Sequence, residues 1–295
     1  MSDYTQRIDR VIDHLRENLH RPVKLAELAE VACFSEFHFH RIFSAVTGET
    51  VNNFTQRLRV EKAARLLRYS AQSLTQIALE CGFSAPATFS RAFRGVYETS
   101  PSQFRRSGEI KNSKIRKELF QKQDYLLPFS AAEKKALFPV KLVDLPRRRV
   151  TYIRVTNACA DGRVLAAFRT MIEWARSQDV SRQGVLFGMS ADDPHVTPRP
   201  LYRYEVCLAS TVALAAPKGM SKLTMPAMRY AVTRVSGDLR KVATAWDYLY
   251  RGWLINSEYE PEHAPALEIF LDKDHATDWS HFDLSLCIPV KRLRK

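Results

Sequence analysis

No stretch of the sequence approaches ~18 consecutive apolar residues, so no helix built from it is expected to span a bilayer. The opening, MSDYTQRIDRVIDHL, lacks an uninterrupted apolar core, which argues against a secretory signal. Cys-x-x-Cys pairs are missing: Cys33, Cys81, Cys159, Cys207 and Cys287 are scattered and odd in number. That pattern disfavours a disulfide framework or zinc finger and favours a reducing cytoplasm, with the thiols as small buried hydrophobes. Also absent are a Gly-x-Ser-x-Gly elbow, a His-Glu-x-x-His helix and a phosphate-cradling glycine loop. His38 and His40 stand two apart in a helical pattern, hence on different faces, and the run Asp272-Lys273-Asp274-His275 reads as a polar turn. The expectation is no catalytic residue, no metal site and no cofactor.

What is present is enough chain for two domains with cores of their own, 295 residues of ordinary apolar and charged content. The net charge of +13 suggests a polyanionic partner. Its distribution is uneven. Residues 1–110 hold 15 basic and 12 acidic side chains, whereas residues 111–150 hold 11 basic and 4 acidic. The excess is densest in KNSKIRKELFQKQ and in Arg147, Arg148 and Arg149, read as a solvated linker or an added phosphate-contacting arm. The expected division is 1–108, a basic linker 109–139, and 140–295.

The first ~106 residues read as short helices. Ile8, Val11, Ile12, Leu15 and Leu19 recur at helical spacing. Leu25, Leu28, Ala29 and Ala32 form a second helix. Ser35 caps a third, with Phe39, Ile42, Phe43 and Val46 inward and Gly48 at its C-cap. A helix from about Thr50 to Tyr69 follows, with Phe54, Leu58, Ala63, Leu66 and Leu67 inside. Then the pattern returns. Ser73 and Gln76 make a capping box, Ser84 caps the next helix with Phe89, Ala92, Phe93 and Val96 inside, and Ser100-Pro101 opens a last one. LAELAEVACFSEFHFHRIF and LTQIALECGFSAPATFSRAF align at a shift of 49, then 50, as expected of a duplicated helix-turn-helix.

The second half changes period. Arg149–Val155 and Tyr202–Leu208 alternate as strands do, and RRVTYIRV returns as MRYAVTRV at a shift of 80, each before a helical stretch. Cys207 in YEVCLA falls opposite Cys287 in LSLCIP. Each half therefore reads strand-helix-strand-strand, two units of an α+β domain. The fold class expected is thus two domains, the first all-α with two helix-turn-helix units joined by a long helix, the second α+β.

Two such units predict two recognition helices in successive major grooves, ~34 Å apart. A linking helix of about 20 residues spans ~30 Å, so one chain could read an asymmetric site of double-stranded DNA. Residues 5–106, through RLRVEKAARLL, GFS and SPSQFRR, resemble the DNA-binding domain of the AraC/XylS family. The first recognition helix offers Glu36, Phe37, His40, Arg41 and Ser44. Arg41 suits guanine, and Phe37 a thymine methyl where the family often has an aromatic. The second offers Pro86, Ala87, Thr88, Ser90, Arg91 and Arg94, suited to shape and methyl groups. Arg57, Arg59, Lys62, Arg65 and Arg68 read as a solvated face, and the resemblance implies phosphate contacts for some, Arg59 first. One departure is Glu98, where the family usually has glycine; a non-glycine left-handed cap costs up to ~1 kcal/mol.

Residues 140–295 resemble the gyrase-inhibitor-like (GyrI-like) effector-binding domain, through the repeat, ADDP…RYEVCLA, WDYLYRGWL and PALEIFL…LCIPV. The order of domains is similar to that of Rob-type regulators. The resemblance implies an aromatic-walled cleft for amphipathic, often cationic ligands, with Glu268 as counter-charge and Phe168, Trp174, Tyr204, Trp246, Tyr250 and Trp253 as candidate walls. Together these imply a cytoplasmic transcription activator carrying a small-molecule sensor, monomeric on DNA, with RNA polymerase as a partner and no membrane. The alternatives are a second domain that is a protein-interaction module, or one that hydrolyses small electrophiles with Glu268 and Tyr204 or Tyr250.

Overall fold

The structure, a computed structural model, describes residues 3–107, 126–160, 162–180, 183–190, 192, 197, 201–212, 214–262 and 264–292. They form two compact units, one helical and one mixed.

In the helical unit the chain runs through α1 (Asp3–Glu17), α2 (Leu25–Val31), α3 (Glu36–Thr47), α4 (Val51–Tyr69), α5 (Leu74–Glu80), α6 (Pro86–Tyr97) and α7 (Pro101–Ser107). The stripe of α1 seats Ile8, Val11, Ile12 and Leu15 against Leu28, Ala29, Phe39 and Phe43, a core to which Phe54 and Leu58 of α4 belong. Phe43 meets Phe54 edge to face at 5.3 Å. In the second half Phe93 touches Phe89, Tyr97 and Phe104, so packed rings join α6 to α7. Truncating one such buried ring to alanine would cost ~3–5 kcal/mol.

The caps follow local chemistry. Ser73 and Gln76 form the expected capping box, and Ser100 and Gln103 exchange the same pair of bonds before α7. Gly48 ends α3 at φ 76°, and Glu98 ends α6 at φ 53°, so the left-handed cap forms without its glycine. Ser84 is not the N-cap of α6. Ala85 takes that position and Pro86 is the first helical residue, where a missing N–H costs nothing. Ile42 is half-buried and Val46 exposed, so the inward face of α3 is narrower than expected.

The largest correction concerns α4. Its cationic face is not solvated: Arg57 and Lys62 are buried together with Glu61. Arg57 bridges Glu49 at 2.7 Å and Glu61 at 2.9 Å, and Lys62 Nζ donates to the Glu80 carbonyl at 3.1 Å. The helix packs against α3, α5, α6 and α7, so most of its circumference is covered, and Arg57, Glu61 and Lys62 are buried in ion pairs.

The mixed unit contains α8 (Ala131–Leu137), β1 (Lys141–Leu145), β2 (Arg148–Thr156), α9 (Arg163–Ser177), β3 (Val185–Ser190), β4 (Arg203–Ser210), β5 (Ser221–Met225), β6 (Met228–Gly237), α10 (Leu239–Asp247), β7 (Tyr259–Pro261), β8 (Ala266–Phe270) and β9 (Phe282–Arg292). After α10 the chain widens into a π-helical turn, Tyr248–Trp253. The strands join in the order β1-β6-β9-β8-β3-β4-β2-β5, with β7 on β9. The 80-residue shift maps β2, β3 and β4 onto β6, β8 and β9, so this order reads the same from either end. The leading arms are exchanged: β1 precedes β2 but pairs β6, while β5 precedes β6 but pairs β2.

The sequence reading ends a basic linker at 139, but the described part of that segment packs within the mixed unit. The Leu127 N–H donates to Thr244 Oγ1 at 2.9 Å, Lys134 lies 3.3 Å from Asp247, and the buried Phe138 ring lies 6.1 Å from Tyr248. Residues 109–125, which hold most of the expected basic arm, lie outside the described residues.

Candidate DNA interface and ligand groove

The two helix-turn-helix units are built by the same backbone bonds. In the first, the Cys33 N–H donates to the Glu30 carbonyl and that of Phe34 to Ala29; in the second, Gly82 donates to Leu79 and Phe83 to Ala78. Each pair is offset by 49, the spacing of the sequence repeat. Both turns need a left-handed residue, Cys33 at φ 52° and Gly82 at φ 75°. At Gly82 a side chain is also impossible, because a Cβ would collide with the Leu19 carbonyl and press on the Arg59 guanidinium.

The turns leave α3 and α6 with one face bare. Glu36, His40 and Arg41 of α3 are exposed, as are Pro86, Ala87, Thr88, Arg91 and Arg94 of α6, with Ser90 half-buried. The side chain of Phe37 lies outside the description. Two expected contacts are corrected. Ser44 turns its hydroxyl into the unit, where the oxygen is buried. Arg59 turns inward as well: Nε donates to the Leu19 carbonyl at 3.0 Å and a terminal nitrogen to that of Arg21 at 2.8 Å. Burial lowers its pKa from the ordinary value. It secures the end of the loop after α1. The cysteines also divide, with Cys33 and Cys159 exposed and Cys81, Cys207 and Cys287 buried. Burial pushes the Cys81 and Cys287 thiols up to about 12, where they stay inert.

In the mixed unit β3 and β8 pair antiparallel at the middle of the sheet, with Gly188 opposite Glu268. The 80-residue shift carries Gly188 onto Glu268, so the pseudo-twofold axis passes between them. One repeat thus places a carboxylate where the other places bare backbone. The phenol of Tyr204, reaching from β4, fills that space, and any Cβ at Gly188 would collide with it. Its hydroxyl donates to Glu268 Oε2 at 2.5 Å, and the Trp246 indole N–H from α10 donates to Oε1 at 2.9 Å. Desolvation first, then the adjacent Glu268, raises the Tyr204 pKa well above its ordinary value, so this hydroxyl remains a donor.

Tyr250 stacks on Trp246 at 5.9 Å, and Phe168, fully buried, lies 6.3 Å from Tyr204 and 4.8 Å from Phe270. Tyr204 and Trp246 thus hold the carboxylate directly, with Phe168 packed beside the first and Tyr250 stacked on the second. Trp253 does not join them, stacking instead on Tyr259 of β7 at 6.1 Å. Trp174 is half-buried on α9, and no ring contact links it to the cluster among the described residues. Two buried ion pairs brace the neighbouring strand: Arg154 with Glu205 at 2.9 Å, and Arg203 with Asp192, whose carboxylate also takes the Arg203 N–H at 2.8 Å. Gly188 was not found by sequence reasoning, although the 80-residue alignment places it against Glu268.

A family model described as the GyrI-like small molecule binding domain matches residues 138–291, and a helix-turn-helix domain model matches residues 28–107. An HTH-type transcriptional regulator of Haemophilus influenzae is 41% identical over 83 residues, 28% of this chain and 28% of that one. The transcriptional regulator Rob of Salmonella typhimurium is 35% identical over 95 residues, 32% of this chain and 33% of that one. The alignments thus span about a third or less of these curated relatives. Among solved structures, the DNA-binding domain of AdpA in complex with a target DNA is 28% identical and covers 37% of this chain and 98% of that one, with a TM-score of 0.34. The chain belongs to the GyrI-like small molecule binding domain family, and a helix-turn-helix domain is matched in the same polypeptide.

Proposed function

We propose that this chain is a sequence-specific transcription activator whose second unit senses a lipophilic cation. The observation that carries the reading is the carboxylate of Glu268, held at the centre of the sheet by Tyr204 and Trp246 with Tyr250 stacked behind the indole. A carboxylate has about four acceptor positions and these two donors use two, so charge and lone pairs remain for a ligand. The ring faces favour a cation whose bulk is apolar. Arg41 and His40 on α3, with Arg91 and Arg94 on α6, are the residues proposed to meet DNA in two successive major grooves. RNA polymerase is the proposed second partner, the chain acting as a monomer on DNA in the cytoplasm.

The test is a thermal-shift screen of the full chain against aryl-substituted quaternary ammonium ions. A ligand at a hundredfold excess over its dissociation constant adds ~2.7 kcal/mol of stability. Stabilisation present in the native chain and lost in Glu268→Gln is the expected result. Equal stabilisation of both proteins would remove Glu268 from the site. A blank with both proteins folded would favour a protein-interaction module.

A further inference from the structure

The exchanged arms make the two ends of the sheet comparable residue by residue. At one end β1 lies on β6, and Asp144 stands opposite Arg229. The two close a forked ion pair with both N–O distances at 2.8 Å. At the other end β5 lies on β2, and the residue opposite Arg149 is Thr224. The 80-residue shift carries Arg149 onto Arg229 and Thr224 back onto Asp144. The arginine of the second repeat therefore receives a carboxylate from the arm of the first, whereas the arginine of the first receives only a threonine from the arm of the second.

Strand register places Thr224, Arg149 and Ser210 in one row across three strands, and Lys222, Thr151 and Leu208 in the next row of the same face. They border a cavity of about 430 Å³, with Val212 and Leu214 along one side. Its lining holds two cations, three hydroxyls and an apolar wall, with no carboxylate among the described residues. No acidic partner for Arg149 or Lys222 is found among the described residues either. Two like charges beside one cavity repel, and an anion between them relieves that repulsion.

We propose that this cavity is a second binding site, for a small carboxylate with an aliphatic or alicyclic tail. The carboxylate takes the place beside Arg149 that Asp144 takes beside Arg229, accepting two N–H bonds from the guanidinium fork. Lys222 adds charge, and the hydroxyls of Thr151, Ser210 and Thr224 are placed to donate to the remaining lone pairs. The tail lies along Leu208, Val212 and Leu214. The site is chemically opposite to the Glu268 groove and does not share its residues.

The experiment is calorimetric titration of the full chain with cyclohexanecarboxylate, cyclohexanecarboxamide and cyclohexylamine. The carboxylate should bind saturably, while the neutral amide and the amine do not. Arg149→Gln, at an exposed position, should weaken binding roughly 10- to 100-fold, as expected for loss of a charge-assisted pair. Thr224→Asp rebuilds the second repeat's ion pair in the first and should abolish binding with the fold intact. Glu268→Gln should leave carboxylate affinity unchanged. Binding that survives Arg149→Gln and Thr224→Asp, or that is lost in Glu268→Gln, would overturn the assignment. So would a chain that binds no carboxylate but loses affinity for DNA in Arg149→Gln, because Arg149 would then serve a phosphate.

Discussion

Glu27 shows how much one side chain can be fixed by its neighbours even at the surface. The Arg21 guanidinium first, and the His14 ring second, hold its carboxyl at about 2 against an ordinary 4.5. A carboxylate with a depressed pKa stabilises the fold fully above pH 4.5, and the contribution is lost as the pH falls toward 2. A carbon NMR titration should therefore give Glu27 a midpoint near 2, moving back toward 4.5 in Arg21→Gln; a native midpoint near 4.5 would contradict the triad. Cys33 and Gly82 carry the same lesson in the backbone. The repeated turn demands a left-handed residue at both places, but only at Gly82 does the Leu19 carbonyl also forbid a side chain. The first turn can thus carry a cysteine at a cost of up to ~1 kcal/mol, and the second cannot.

Among elements, α4 marks where sequence periodicity stops being informative. The amphipathic stripe of α1, the capping box before α5 and the Ser100-Pro101 start of α7 were readable because each depends on residues within one or two turns. On α4 the charges at Arg57 and Lys62 read as solvent-facing, yet neighbours cover that face and both pair inside, with Glu61 and Glu80. The same geometry assigns Arg59 to the loop after α1. Arg59→Ala should lower stability by ~2–3 kcal/mol in urea unfolding, as two bonds from a charged donor are lost. The salt dependence of DNA binding should stay as it was. Unchanged stability, with the salt slope reduced by about one, would return Arg59 to a phosphate. Strands posed a different problem. The repeat at a shift of 80 was legible, but the exchange of β1 and β5 was not, since no local pattern says which repeat an arm will pair with. The cavity beside Arg149 follows from that exchange, and Gly188 beside Tyr204 from the pairing of β3 with β4 and β8, so neither was found in the sequence.

In the whole molecule, duplication occurs twice, and each time the copies have diverged in function-bearing residues. In the helical unit α3 presents His40 and Arg41, whereas α6 begins with Pro86 and Ala87, which have no side-chain hydrogen bonds to offer a base. In the mixed unit one repeat supplies Glu268 and the other Gly188 at the axis. A helix of 19 residues between the two helix-turn-helix units spans about 28 Å, close to one turn of B-DNA, the spacing the proposed reading of an asymmetric site by one chain requires.

The most direct measurement is hydroxyl-radical footprinting of the full chain on a DNA site obtained by selection from random sequence, comparing the native protein with Arg41→Ala and Arg91→Ala. The account predicts two protected patches about one helical turn apart on one face of the duplex. Arg41→Ala should cost ~1–3 kcal/mol, weaken one patch and relax selectivity at one base pair, while Arg91→Ala weakens the other patch. A single patch, or an equal loss for Arg41→Ala on every sequence tested, would contradict a two-groove reader with α3 as its main source of specificity.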